Sequence, residues 1–198
     1  MSAIRAEAAE ATRAAILRSA RSLFARRGID KVTIAQIGQR AGVATSTIYT
    51  LYKSKEGILR ELMRASLFGS RYRSAQSLLE GVTDPVRLIE LTGAVARAIY
   101  ESESADLGLL RGSSSFSPAL RKLEREFETI RYDMQEARLR PLFAQTRNKK
   151  GLEFEEARRI LWMFTSRDIY RMLVHEGGWS PDRYEKWLSR TLLDALVA

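Results

Sequence analysis

The 198-residue chain has no cysteine, a single histidine and only four prolines. Without a thiol there is neither a disulfide framework nor a thiolate metal site, and His175 alone cannot build an imidazole-rich metal centre. Long apolar runs are missing too, since no segment approaches the roughly 18 consecutive apolar residues that a membrane helix needs. The opening stretch MSAIRAEAAEATRAA is broken by Arg5, Glu7 and Glu10 before an apolar core could form, so it reads as neither a secretion signal nor a span. Strand signals are scarce, because apolar residues recur at spacings of three and four rather than two. There is no G-x-S-x-G elbow, no phosphate-binding loop and no G-x-G-x-x-G turn, so no enzyme class has positive support. The expectation is an all-α cytoplasmic protein that is not an enzyme and uses no metal and no cofactor.

Against these absences stand a hydrophobic content of 45%, enough for packed cores, and a formal charge of +9. The charge is concentrated. Residues 1–60 hold 11 basic and 4 acidic side chains, net +7, whereas residues 61–198 hold 22 and 20, net +2. A polyanion is therefore expected to meet the N-terminal third.

Ile16, Ala20, Leu23 and Phe24 mark one face of a first helix, following a polar arm of about ten residues, with Thr12 as its N-cap and Gly28 as its stop. Thr33 caps a second helix that buries Ile34, Ile37 and Ala41 and closes at Gly42, and a short third helix carries Ile48 and Leu51. Ser54 caps a fourth, running through Ile58, Leu59, Leu62 and Met63 to about Phe68. Pro85 opens a fifth bearing Leu88, Leu91, Val95 and Ile99. Gly108 and the run Gly112-Ser113-Ser114-Ser115 surround at most a short helix, and Pro118 opens a long one that Pro141 is expected to kink or end. Two amphipathic helices, 154–175 and 181–197, complete a count of about nine.

Residues 33–52 have the form of a helix-turn-helix, in which the second helix presents its N-terminal side chains to the major groove. Gly38 lacks a side chain where the helices cross, Gly42 permits a left-handed turn, and Ile37, Val43, Ile48 and Leu51 form the internal core. Outward on the third helix remain Thr45, Ser46, Thr47, Tyr49 and Thr50, all hydrogen-bonding groups, flanked by Lys53 and Lys55. Three hydroxyls in a row also suit a solvated helix start, but the surrounding charge and turn favour a DNA-facing surface. Tyr52 falls on the packing side with Ile48, and Arg26, Arg27 and Lys31 read as solvated charge.

The stretch GIDKVTIAQIGQRAGVATSTIYTLYKSKEGIL, residues 28–59, resembles the DNA-binding domain of tetracycline-repressor-like (TetR family) regulators. The resemblance lies in the element Ile37-Gly-Gln-Arg-Ala-Gly-Val43, the tyrosine at 49, the aromatic at 52 and Ser54-Lys55-Glu56 opening the next helix. Gly38 departs from the alanine usual in the family, and Ser46 from its frequent glycine. The resemblance implies an N-terminal three-helix helix-turn-helix domain within residues 1–55 and a larger helical domain, 56–198, for ligand binding and dimerisation. It implies that Thr45, Ser46, Thr47 and Thr50 face bases or nearby phosphates. Tyr49 would reach a phosphate through its hydroxyl, and Thr33 and Lys55 would hold the backbone at helix N-termini.

The function expected is that of a ligand-responsive transcriptional regulator, a repressor that binds a palindromic double-stranded DNA operator as a homodimer and releases it when a small effector binds. Tyr100, Phe127, Met134, Trp162, Met163 and Phe164 are the candidate effector lining, with Arg131 and Tyr132 supplying orientation, which favours an apolar or aromatic compound. Ile169, Met172, Leu173, Trp187, Leu188, Leu192 and Leu193 are the candidate dimer contacts. Asp168, within an apolar run, either pairs with Arg167 or Arg171, meets a partner residue, or faces water. The alternative is a sequence-tolerant architectural DNA-binding protein without effector, against which the near-neutral C-terminal region argues.

Overall fold

The computed structural model describes residues 2–101 and 118–198, and every regular element among them is helical apart from one isolated antiparallel bridge between Asn148 and Val197. The short helix expected around Gly108 and 112–115 lies outside the described residues. The chain forms two compact units, one of residues 2–67 with 118–125, the other of 68–101 with 126–198.

In the first unit α1 spans Ser2–Arg27 and begins well before Thr12. Alanine is the strongest helix former, and the Ala-rich opening carries the helix through the stretch expected as an arm. Thr12 is therefore not a cap; its hydroxyl donates back to the Ala8 carbonyl at 2.9 Å. Gly28, at φ 76°, ends the helix where glycine was expected to. The helices α2, Ile34–Ala41, α3, Thr45–Tyr52, and α4, Lys55–Phe68, follow. Ile16, Phe24, Ile37, Ile48, Ile58 and Leu59 form the core, none more than 2% exposed.

The second unit contains α5, Ser70–Gln76, with a 3-10 turn Ser77–Leu79, then α6, Pro85–Glu90, and α7, Thr92–Glu101. Most of α8, Pro118–Ala144, belongs to it, as do α9, Phe154–Phe164, α10, Arg167–Tyr170, continuing as a π-helical turn Arg171–Glu176, and α11, Pro181–Leu196. Two helices expected as single are each divided. The fifth breaks at Leu91, where the Ser189 hydroxyl donates to the Glu90 carbonyl at 2.7 Å and Gly93 leaves no room for a Cβ against Ser189 Oγ. The helix over 154–175 breaks at Thr165, and the Ser166 side chain, accepting from the Ile169 amide at 3.3 Å, starts the next. Pro141 does not end α8, which runs on to Ala144. Ile89, Leu139, Leu142, Ala157, Leu161, Tyr184, Leu188, Leu192 and Leu196 form a fully enclosed core.

Candidate functional site

Local chemistry sets the helix-turn-helix. The Gln36 amide donates to Thr33 Oγ1 at 3.2 Å and the Thr33 amide donates to Gln36 Oε1 at 3.0 Å, a reciprocal capping box that fixes the start of α2. Gly42 ends it in the left-handed region at φ 67°, and the Val43 amide then donates to the Gly38 carbonyl at 2.9 Å. A Cβ on Gly38 would stand 2.7 Å from the Val43 carbonyl oxygen, so this turn is built around the absence of a side chain. The glycine that departs from the family pattern is thus a packing requirement of this chain.

On α3, Ile48 and Tyr52 point inward, at 0% and 8% exposure. The Tyr52 hydroxyl is buried without a hydrogen-bond partner, and burial raises its pKa, as suits a core ring. Thr45, Ser46, Tyr49 and Thr50 are exposed, Thr47 is half-buried, and the Tyr49 ring is 50% exposed. Among these five only Thr50 spends its hydroxyl on another of the described residues, donating to the Ser46 carbonyl at 3.0 Å. The other four keep their hydrogen-bonding capacity for an external partner.

The exit from α3 is tight. Lys53 takes the left-handed value φ 65°, uncommon for a residue with a side chain, and its amide closes on the Tyr49 carbonyl at 3.0 Å. Ser54 Oγ accepts from the Gly57 amide at 3.1 Å, and a Cβ on Gly57 would fall 1.9 Å from the Tyr52 carbonyl oxygen. This turn leaves Lys53 exposed and Lys55 half-buried at the first position of α4. Thr33, whose hydroxyl serves the cap, is exposed at the start of α2.

In the second unit the candidate lining residues go to different places. Phe127 packs on Phe68, ring centres 6.1 Å apart, and Met134 Sδ accepts from the Tyr72 hydroxyl at 3.8 Å. Arg131 donates to the Trp162 carbonyl at 2.7 Å, to Thr165 Oγ1 at 3.2 Å and to Glu128 at 2.7 Å, and its guanidinium stacks 5.1 Å from the Trp162 ring centre. Trp162 Nε1 donates to the same Glu128 carboxylate at 3.0 Å. The Tyr100 hydroxyl donates to the Thr165 carbonyl at 2.7 Å, Tyr132 to Glu155 at 2.7 Å, and Phe164 meets Trp187 edge-on. Met163 is 48% exposed, because it stands about 200° round α9 from fully buried Leu161.

Of the candidate dimer contacts, Leu188 and Leu192 are corrected: both are 0% exposed on the stripe Tyr184, Leu188, Leu192, Leu196 that α11 turns into its own core. Fully covered side chains have no surface left for a second chain. Ile169, Leu173, Trp187 and Leu193 are half-buried, and Met172 is 44% exposed. Asp168 faces water and pairs with Arg171 at 3.4 Å. His175 packs edge-on against Tyr170, and no cluster of three metal-ligating side chains occurs among the described residues.

Residues 16–62 match the family of bacterial regulatory proteins called tetR. Over 174 residues the chain is 28% identical to the HTH-type transcriptional repressor KstR2 of Mycolicibacterium smegmatis, covering 84% of this chain and 67% of that protein. The chain is therefore similar to TetR-family transcriptional regulators, most specifically over its helix-turn-helix. The TetR-like fold extends to the C-terminus. NalD of Pseudomonas aeruginosa, the secondary repressor of the MexAB-OprM multidrug efflux pump, superposes with a TM-score of 0.74 at 22% identity, over 96% of this chain and 98% of its own. FadR of Bacillus subtilis, in complex with stearoyl-CoA, gives 0.68 at 17% identity, over 90% and 96%.

Three polar residues of this chain escaped the sequence reading: Tyr72, Gln76 and Arg138. Arg138 Nη1 donates to Thr92 Oγ1 at 3.2 Å and Nη2 to Gln76 Oε1 at 3.4 Å. A signal for Arg138 existed, since Phe127, Arg131 and Met134 continue at helical spacing to position 138 on the same face of α8. Nothing comparable marks Tyr72 and Gln76, which lie on a short helix that the apolar pattern did not separate from its neighbours.

Proposed function

We propose that this regulator is a ligand-responsive repressor that binds a palindromic operator as a homodimer and releases it when a small apolar or aromatic effector binds. DNA binding is assigned to residues 1–55 and effector binding with dimerisation to 56–198. Thr45, Ser46, Thr47 and Thr50 face bases or nearby phosphates, Tyr49 reaches a phosphate, and Thr33, Lys53 and Lys55 hold the backbone. The observation that carries this reading is the outer face of α3, where four of five hydroxyl side chains have no partner among the described residues, within a third of the molecule that carries net +7. Such a surface offers readout from hydroxyls and affinity from charge.

Release requires that the effector favour the arrangement that does not bind DNA, by a coupling of about 1–3 kcal/mol. The Phe68, Phe127 and Met134 cluster supports an apolar effector, and the stearoyl-CoA bound by the structurally similar FadR carries a long apolar acyl chain beside its polar coenzyme A part. Ile169, Met172, Leu173, Trp187 and Leu193 are the proposed dimer contacts. The chain works in the cytoplasm, with which the lack of any membrane-crossing helix among the described residues is consistent. Selection of bound sequences from a random DNA library tests the reading: enrichment of one inverted repeat is expected, and recovery of unrelated sequences with equal affinity would instead indicate an architectural binder. Sedimentation at micromolar concentration should give twice the 22.5 kDa chain mass, and a monomer would contradict the dimer.

A further inference from the structure

Arg138 is the exception among the enclosed cations of the second unit. Arg97 meets Glu101 at 2.9 Å, Glu185 at 3.0 Å and also Asp182. Arg131 meets Glu128, and Arg158 meets Asp133 at 2.7 Å with Glu155 at 3.4 Å. Arg138 meets no carboxylate among the described residues; its two acceptors, Thr92 Oγ1 and Gln76 Oε1, are both neutral. A guanidinium carries five N–H donors in a planar fork whose geometry matches a carboxylate. Withdrawing such a cation from water is strongly unfavourable unless an opposite charge compensates it. Burial does lower the Arg138 pKa from its ordinary value.

The surroundings narrow what would compensate that charge. Thr92 is fully buried and its hydroxyl donates to the Leu88 carbonyl at 3.0 Å, so towards Arg138 it offers a lone pair only. Tyr72, close enough for the Arg138 charge to lower its pKa against the rise that burial causes, donates only to the thioether of Met134. A thioether is a weak acceptor, and the phenol remains a neutral donor at physiological pH. Beside these polar groups stand Phe68, edge-on to Tyr72 at 5.5 Å, Phe127, and the 37% exposed Met134. A lone cation and an under-used hydroxyl therefore adjoin an aromatic and thioether wall.

We infer that Arg138 is the anchor for an effector carboxylate, with Tyr72 as second donor, so that the effector is an amphipathic carboxylic acid whose apolar body lies along Phe68, Phe127 and Met134. This rests on the ligand-responsive reading above and narrows its effector class from apolar compounds to apolar acids.

The test uses the full-length protein and matched probes: hexanoate, decanoate, myristate, naphthoate and phenylbutyrate, each beside its neutral primary amide. Thermal denaturation reports binding, and gel retardation on the selected inverted repeat reports release. At least one acid should raise the melting temperature at roughly tenfold lower concentration than its amide, the margin expected of a charge-assisted hydrogen bond over a neutral one. Arg138→Met should erase the difference between acid and amide without lowering the ligand-free melting temperature, and Arg138→Lys should keep part of it. If amides bind as well as acids, or no acid binds, the inference is overturned. Amides that release DNA as readily as acids would overturn it while sparing the ligand-responsive reading. Acids that bind through Arg138 without releasing DNA would spare the inference and overturn that reading.

Discussion

The two units treat their polar side chains in opposite ways. In the first, α3 leaves the hydroxyls of Thr45, Ser46, Thr47 and Tyr49 without partners among the described residues, while charge is supplied largely by exposed lysines and arginines. In the second, long polar side chains are tied inward: Arg131 fastens α8 to the end of α9, and Arg158 lies 4.1 Å over the Tyr132 ring while meeting Asp133 and Glu155. The first unit keeps its hydrogen-bonding capacity for something outside the chain. The second spends most of it on its own packing, which is why Arg138, whose acceptors among the described residues are both neutral, stands out there. Substitutions on α3 should accordingly change binding with little effect on stability, and substitutions of the inward arginines should do the reverse.

The largest effect is expected where the contrast depends on backbone. Gly57→Ala places a Cβ 1.9 Å from the Tyr52 carbonyl, and the α3–α4 turn must shift to admit it. A loss of about 3 kcal/mol in urea denaturation is expected, with DNA binding lost in parallel. Stability close to that of the parent would show that the turn adjusts freely, and that the strained Lys53 backbone is not what aims α3.

Arg131→Ala is next. It leaves the Trp162 carbonyl and Thr165 Oγ1 without their donor and frees Glu128, at a cost of about 1–3 kcal/mol. DNA affinity of the remaining folded protein should be unchanged. A specific fall in operator affinity without loss of stability would blur the division between the units.

Lys55→Ala should weaken operator and random DNA alike and lower the slope of log affinity against log salt by about one unit. An unchanged slope would remove Lys55 from the phosphate contacts.

The smallest effect concerns pH. The Tyr132 hydroxyl, donating to Glu155, holds that carboxyl below the usual glutamate range, and the Tyr132 pKa is raised by the same bond. A depressed carboxyl contributes stability that is present above its unfolded pKa and lost as pH falls through the folded value. A raised phenol contributes stability present below its unfolded pKa and lost as pH rises through the folded value. Melting temperatures of the parent and Tyr132→Phe should therefore differ slightly near neutrality and converge both in acid and above the tyrosine range. A difference independent of pH would assign the change to packing.

How much of this was legible in the sequence follows the same contrast. Thr33, Gly42 and Ser54 act within three or four residues of themselves, so the turn chemistry of the helix-turn-helix could be read directly. Gly38 could be read as a crossing point for the same reason. The breaks at Leu91 and Thr165 could not: the first involves Ser189, distant in the chain, and the second begins a new helix within an unbroken apolar pattern. Thr12 misled because a polar residue inside an alanine-rich helix has the composition of a cap. Leu188 and Leu192 misled because periodicity marks a buried stripe without saying whether its own chain or a partner covers it. Arg138 was passed over because a charge on a helix is ordinarily solvated, and only the tertiary structure shows that no carboxylate among the described residues meets it.

The central claim is that α3 reads sequence through its unspent hydroxyls while basic groups supply affinity that is indifferent to sequence. The most direct measurement is the ratio of affinities for the selected inverted repeat and for scrambled DNA, at one fixed salt concentration, in the parent and in Thr47→Ala. The account predicts that the substitution lowers affinity for the repeat by about 1–3 kcal/mol and leaves affinity for scrambled DNA unchanged, so that the ratio falls at least severalfold. An equal loss on both DNAs, with the ratio preserved, would contradict it.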